Sequence, residues 1–231
     1  MRITILGATG RIGSHLLTWA LEAGHQVRVL ARHPEALPAA AGRSVSVHGA
    51  AARGPAAPEA LAVTRGDVLD SAAVAEAVAG ADAVLSALGP RGAKTPGLLA
   101  GAAENTVAAM RNTGARRLIC VSAAGAFITA DPPPASPSPF PWLVRQVLPR
   151  VLAQPFADVR RMEDVISRSG LDWTLVRATR LVNTPLTGRY RVAPDYPPRG
   201  GGKISRADVA HFMAMVLTED AWLRSAPSLA Y

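Results

Sequence analysis

Two rhythms alternate along this chain: short, nearly unbroken apolar runs, and stripes of apolar residues repeating every three to four positions. The runs predict strands at residues 2–6, 26–31, 61–65, 82–88, 116–122 and 172–177. Between them, Ile12, Leu16, Leu17, Ala20 and Leu21 share one face of a helix over 11–23, which Gly24 ends. An Ala/Val helix follows at 71–79, and Thr95-Pro96 supplies an N-cap and first-turn proline for a helix to Asn112, closed by Gly114. Further helices are predicted at 157–169, ended by Gly170, and from the capping-box sequence Ser205-Arg206-Ala207-Asp208 to residue 217. Strands and helices alternating at this spacing predict an α/β fold built on a doubly wound parallel sheet.

The rhythm breaks in three places. Residues 38–60, rich in Ala, Gly and Pro, read as an excursion with 44–48 extended. Residues 131–141 (DPPPASPSPFP) hold six prolines in eleven positions, which forbids helix and central strand and leaves an extended loop, either a lid or a loosely attached insertion. Residues 142–152 read as a short amphipathic segment, and 178–202 as irregular apart from an extended stretch at 189–192. The 231 residues therefore suit one domain, 1–231, with a core of 1–125 and 157–177. The Pro-rich loop and the substrate-side segments 142–156 and 178–231 would make a small C-terminal lobe.

The candidate chemistry starts where the first strand meets the first helix, at Gly7-Ala8-Thr9-Gly10-Arg11-Ile12-Gly13. Gly7 suits a tight turn, Gly10 lets backbone approach a diphosphate, and Gly13 lets the helix pack near the sheet. The first-turn N–H groups of such a helix make an anion site, to which Thr9 adds a hydroxyl and Arg11 a cation. The spacing is GxxGxxG, a variant of the Rossmann dinucleotide fingerprint. At the tip of the second strand, where an NAD enzyme places Asp or Glu for the ribose 2′-hydroxyl, stands Arg32. A guanidinium there accepts a 2′-phosphate and favours NADP(H). Asp67 has two readings, a contact to the adenine edge or a helix cap. Gly89-Pro90 keeps the exit of the fourth strand low enough for a cofactor to lie across it.

Composition narrows the alternatives. The net charge is +8, but almost all of the 25 basic residues are arginines spread along the chain without a basic run or interleaved aromatics, which argues against nucleic acid and favours a phosphate-bearing cofactor. Cys120 is the single cysteine and sits in an apolar run, so it reads as a buried structural thiol. His15, His25, His33, His48 and His211 show no ligand spacing, and no metal is expected. No apolar run reaches the ~18 residues of a membrane span, and the first residues lack a secretory h-region, so a cytoplasmic protein is expected.

Taken together, GATGRIG, Val29-Leu30-Ala31-Arg32, Gly66-Asp67-Val68-Leu69, Ala81-Asp82-Ala83-Val84, Cys120-Val121-Ser122-Ala123, Arg161-Met162, Ser169-Gly170-Leu171, Pro185-Leu186-Thr187-Gly188 and Ile204-Ser205 with His211-Phe212-Met213 resemble the atypical short-chain dehydrogenase/reductases. Within them the chain is similar to the NAD(P)H-binding group of NmrA-like proteins and flavin reductase/biliverdin-IXβ reductases, nearest to flavin reductase. The resemblance implies a Rossmann-type fold and NADPH held by Gly7, Thr9, Gly10, Arg11, Ile12, Gly13, Arg32, Asp67 and Val68. It places Ala87, Leu88 and Gly89 beneath the ribose and nicotinamide, and Ser122 beside the nicotinamide. The family's usual Tyr-x-x-x-Lys pair is replaced by Phe156-Ala157-Asp158-Val159-Arg160, which removes the phenolic proton donor. Where flavin reductase-like members carry a histidine, this chain has Arg180. The reading is an NADPH-dependent reductase of a flavin or quinone, with Ser122 and Arg180 as catalytic candidates, Arg180 pairing with an anionic group and Phe140 or Trp142 covering the ring. The alternative is a non-catalytic NADP(H)-sensing regulator that binds a partner protein. Neither nucleic acid nor membrane is an expected partner, and a monomer or homodimer is expected.

Overall fold

The computed structural model describes residues 1–38, 60–89, 96–127 and 153–231, and the backbone of 45–48. Its strands are β1 (Arg2–Leu6), β2 (Gln26–Ala31), β3 (Val45–His48), β4 (Leu61–Arg65), β5 (Ala83–Ser86), β6 (Arg117–Ala123), β7 (Asp172–Ala178), β8 (Arg180–Val182), β9 (Arg191–Pro194), β10 (Lys203–Ser205) and β11 (Pro227–Ala230). The helices are α1 (Arg11–Glu22), α2 (Ser71–Val78), α3 (Leu98–Thr113), α4 (Ala153–Ser167) and α5 (Arg206–Met215).

One sheet runs in the order β3-β4-β2-β1-β5-β6-β7-β11-β9, parallel except where β9 meets β11, while β8 and β10 pair separately. From β1 the chain winds outward through β2 and β4 on one side and through β5, β6 and β7 on the other. The order thus reverses between β1 and β5, and a crevice opens beyond the carboxyl ends of strands at such a point.

Side chains alternate across each strand, and the core divides accordingly. Ile3, Ile5, Leu85, Ile119 and Val176 face one layer with Leu16 and Leu17 of α1 and Val209, Phe212 and Met213 of α5. Leu6, Val84, Leu118, Cys120 and Leu175 face the other with Val74 of α2, Val107 and Met110 of α3, and Val159, Met162 and Ile166 of α4. Because both faces are covered, the strand sequences read as unbroken apolar runs. Cys120 is a free, buried thiol, and burial pushes its pKa up to about 12. Among the described residues, no helix is long and apolar enough to cross a membrane, and no cluster of His, Cys, Asp or Glu is arranged to hold a metal ion.

Several local expectations are corrected. α3 does not start from Pro96: it begins at Leu98, after Gly97 in a left-handed conformation (φ 78°). Its cap is tertiary, because the buried carboxylate of Asp158 in α4 accepts Leu99 N–H at 2.9 Å and Ala100 N–H at 3.1 Å. α4 itself starts at Ala153 rather than 157, and β5 is confined to Ala83–Ser86 instead of 82–88. The segment 178–202 is more ordered than its composition suggests, holding β8 and β9, the latter two residues beyond the expected 189–192. β10 and β11 were not anticipated, and β9 and β11, from the expected substrate side, extend the main sheet. Thr95, Phe140, Trp142, the Pro-rich stretch 131–141, the segment 142–152 and most of 38–60 lie outside the described residues.

Candidate functional site

The β1–α1 turn is shaped by contacts that only glycine permits. Gly7 has φ 82°, and a Cβ on it would sit 3.0 Å from the backbone carbonyl of Ala87 at the exit of β5. A Cβ on Gly13 would fall 2.1 Å from Gly7 O, so the first turn of α1 lies directly on the loop. Gly10 is the N-cap residue, and the first bond within the helix runs from Ser14 N–H to Gly10 O at 2.8 Å. The N–H groups of Arg11, Ile12 and Gly13 therefore have no acceptor inside the helix and present positive partial charge at its end.

This end opens on a cleft of about 490 Å³ at the reversal point, walled by Gly7, Thr9, Gly10, Arg11 and Ile12 from the first turn. Arg32, Asp67 and Val68 line it beyond β2 and β4, Ala87, Leu88 and Gly89 beyond β5, and Leu181 and Arg206 from the C-terminal segment. Of the anticipated cofactor residues, Gly13 shapes the turn from behind and is not on the wall. Asp67 is no helix cap, since Asp70 caps α2 by accepting from Ala72 and Ala73 N–H. Asp67 instead accepts Leu69 N–H at 2.9 Å and faces Arg32 at 3.5 Å, with both side chains more than a third exposed. Asn105 Nδ2 donates to Val68 O at 3.0 Å and holds that rim in place.

Three guanidinium groups thus meet one carboxylate around the cleft. Arg206 was not anticipated, because the capping-box pattern explains its neighbours and says nothing about where an arginine at the first helical position will reach. Its Nη1 donates to Asn183 Oδ1 at 2.7 Å. Partial burial and the nearby Arg11 charge both lower its pKa.

Ser122 and Arg180 do not line the cleft. Ser122, buried at the end of β6, donates its hydroxyl to Glu163 Oε1 at 2.5 Å. Glu163 in turn receives a two-point fork from Arg177, with Nε to Oε1 at 3.1 Å and Nη2 to Oε2 at 2.6 Å, and that guanidinium lies 3.8 Å over the Phe127 ring. Arg180 is an exposed residue of β8. At the positions of the missing Tyr-x-x-x-Lys pair, Phe156 packs against Gly125, where a Cβ would sit 2.9 Å from its ring. Arg160 donates to Ala126 O at 2.8 Å. Below the cleft, Asp208 accepts from Thr187 and Gly188 N–H, the Thr187 and Ser205 hydroxyls and the Tyr231 phenol, tying the 187–188 loop to α5. Burial raises its pKa, but these donors outweigh burial and hold it below the ordinary carboxylate range.

The profile of the NAD(P)H-binding family matches residues 7–220. This chain belongs to that NAD(P)H-binding family. Solved structures of the same fold include a putative exported protein from Burkholderia pseudomallei, 26% identical, with all of both chains covered and a TM-score of 0.71. A short-chain dehydrogenase/reductase from Veillonella parvula in complex with NADP is 21% identical, with 100% of this chain and 94% of that chain covered and a TM-score of 0.75. ChuY, an anaerobilin reductase from Escherichia coli O157:H7, is 20% identical, with 100% and 97% covered and a TM-score of 0.75. The Rossmann-type fold and the family resemblance read from the sequence are borne out.

Proposed function

We propose that this NAD(P)H-binding protein is an NADPH-dependent reductase that passes hydride to a flat redox acceptor, a flavin or a quinone. The observation that carries the reading is the charge of the cleft, where Arg11, Arg32 and Arg206 surround a glycine turn that leaves three backbone N–H groups for a diphosphate. A phosphorylated dinucleotide fits both features. Gly7, Thr9, Gly10, Arg11 and Ile12 would hold its diphosphate, Asp67 and Val68 its adenosine end, and Ala87, Leu88 and Gly89 would floor the ribose and nicotinamide. Arg32 supports the choice of NADPH over NADH. Its contact with Asp67 is a long, half-exposed single-point pair, worth no more than about 1 kcal/mol, so exchanging it for a two-point contact to a 2′-phosphate is favourable.

When bound, the nicotinamide supplies hydride from C4 to an acceptor that takes its proton from solvent. That division of labour suits what the chain offers. Phe156 has no proton to give, and the Ser122 hydroxyl is committed to Glu163, so the residues bind, orient and exclude water. At the level of the fold, the NADP complex of the Veillonella protein and the reductase described for ChuY point the same way. Arg180, on β8, remains a candidate for an acceptor's anionic group.

The test is steady-state NADPH oxidation with FMN, riboflavin and a small quinone, alongside nucleotide titrations of Arg32→Ala. Turnover is expected with at least one acceptor, and Arg32→Ala should weaken NADPH about tenfold or more with little change for NADH. Tight NADPH binding without turnover on any acceptor would favour a sensing role, and equal losses for both nucleotides would take Arg32 off the phosphate.

A further inference from the structure

Arg206 comes from the far part of the chain, yet it lines the same cleft as the glycine turn. Its path there is set by the small sheet: β10 pairs with β8 in parallel, Ser205 opposite Val182, which brings Leu181 and the first residue of α5 to the cleft together. The N-terminus of α5 is fixed from within, Ser205 Oγ accepting Asp208 N–H at 2.9 Å, and Asn183, the residue after β8, holds the guanidinium. The three cleft arginines are unequal. Arg32 faces Asp67, whereas among the described residues neither Arg11 nor Arg206 has a carboxylate partner. The one acid near Arg206 on its own helix, Asp208, already takes five donors from elsewhere. Two like charges that line one cleft, each without a carboxylate partner among the described residues, call for an anion between them.

We infer that Arg206 and Arg11 form a two-guanidinium clamp on the diphosphate bridge of the dinucleotide, so that the C-terminal segment grips the cofactor by its charge. The inference rests on the nucleotide reading above. The diphosphate is preferred to the 2′-phosphate because Arg11 belongs to the turn whose N–H groups present the anion site, while Arg32 and Asp67 stand at the tips of β2 and β4. Arg206 enters instead from the side of β7 and β8. The lowering of the Arg206 pKa by burial and by Arg11 agrees with a paired site that lacks its anion.

Two sources of phosphate meet this chemistry, the dinucleotide and a phosphorylated acceptor, and calorimetric titration separates them. Wild type, Arg206→Gln and Arg206→Lys are titrated with NADPH, NADH, FMN and riboflavin, with melting temperatures recorded in parallel. Arg206→Gln should raise Kd for NADPH and NADH by the same factor, about tenfold, because both carry the diphosphate. Arg206→Lys, which keeps the charge and loses the fork, should give about threefold. It also carries the test if the glutamine variant does not fold. The ratio of FMN to riboflavin affinity should not change. Unchanged nucleotide affinity in both variants, a loss confined to NADPH, or a loss confined to FMN would each overturn the clamp. A wild type that binds neither nucleotide would remove the nucleotide reading, and the clamp with it.

Discussion

Gly13→Ala puts the geometry of the β1–α1 turn to a quantitative test. The added Cβ would lie 2.1 Å from Gly7 O, 2.7 Å from Gly7 C and 2.8 Å from Ala8 Cα, all of them backbone atoms that no rotamer change can move. Ordinary contact starts at 3.4 Å, so loop and helix must separate by about 1.3 Å. Two effects oppose each other. Alanine gains at most about 1 kcal/mol over glycine as a helix former, while overpacking costs roughly 1–3 kcal/mol and more where backbone must give. The clash should win by about 2 kcal/mol, lowering Tm by roughly 4–8 °C. The loop cannot relax toward β5, where Gly7 is already pressed against Ala87. It must open outward, which spreads the N–H groups that present the anion site, and NADPH affinity should fall at least about tenfold. Gly24→Ala is the control: at φ 73° with nothing within 4 Å of the new Cβ, it costs about 1–2 kcal/mol of backbone strain far from the cleft and should leave Kd unchanged. Urea denaturation and calorimetric titration read both quantities. A folded Gly13→Ala protein with wild-type NADPH affinity would refute the reasoning.

Two further outcomes follow from the buried charges. Glu163→Met strands the Arg177 guanidinium, whose side chain is 13% exposed, and should cost about 3–5 kcal/mol, much of it recovered in the Glu163→Met/Arg177→Met double variant; single and double variants with equal Tm would contradict this. Asp208, with its folded pKa lowered, contributes stability that is complete above the unfolded value near pH ~4 and is lost as pH falls through the folded value. Asp208→Asn should therefore be less stable than wild type at pH 7, with the gap closing on acidification, and a gap in urea denaturation that persists unchanged at pH 3 would show the carboxylate is not its source.

The parallel core was legible because burial on both faces leaves a local mark. Val29, Leu30 and Ala31, or Leu118 and Ile119, are apolar in succession whichever way each points. Glycines with an unambiguous backbone task, Gly7, Gly24, Gly114 and Gly170, were equally readable, and all have positive φ. What escaped is what the chain does at a distance. The cap of α3 is supplied by Asp158, a residue that in its own neighbourhood is one more acid on a helix. Strands of three or four residues such as β8, β10 and β11 are too short to show a period, and β9 ends in Pro194, which an edge strand tolerates. Ser122 was placed by its strand, but the strand does not reveal that Glu163 and Arg177 have taken its hydroxyl. Arg206 reaches the cleft only through the β8–β10 pairing, so no spacing from the glycine turn could have linked it to Arg11.

The position of β11 also bears on how the molecule is made. It is threaded between β7 and β9, and in the sheet β9 touches β11 alone. On a ribosome, residues 191–194 emerge before the strand that will receive them, and the outer rim of β7 stays unzipped until 227–230 arrive. Most of the alternating strand–helix units can condense in order of synthesis, but the last seam is a non-local closure, slow by its topology and open to stray pairing while it waits.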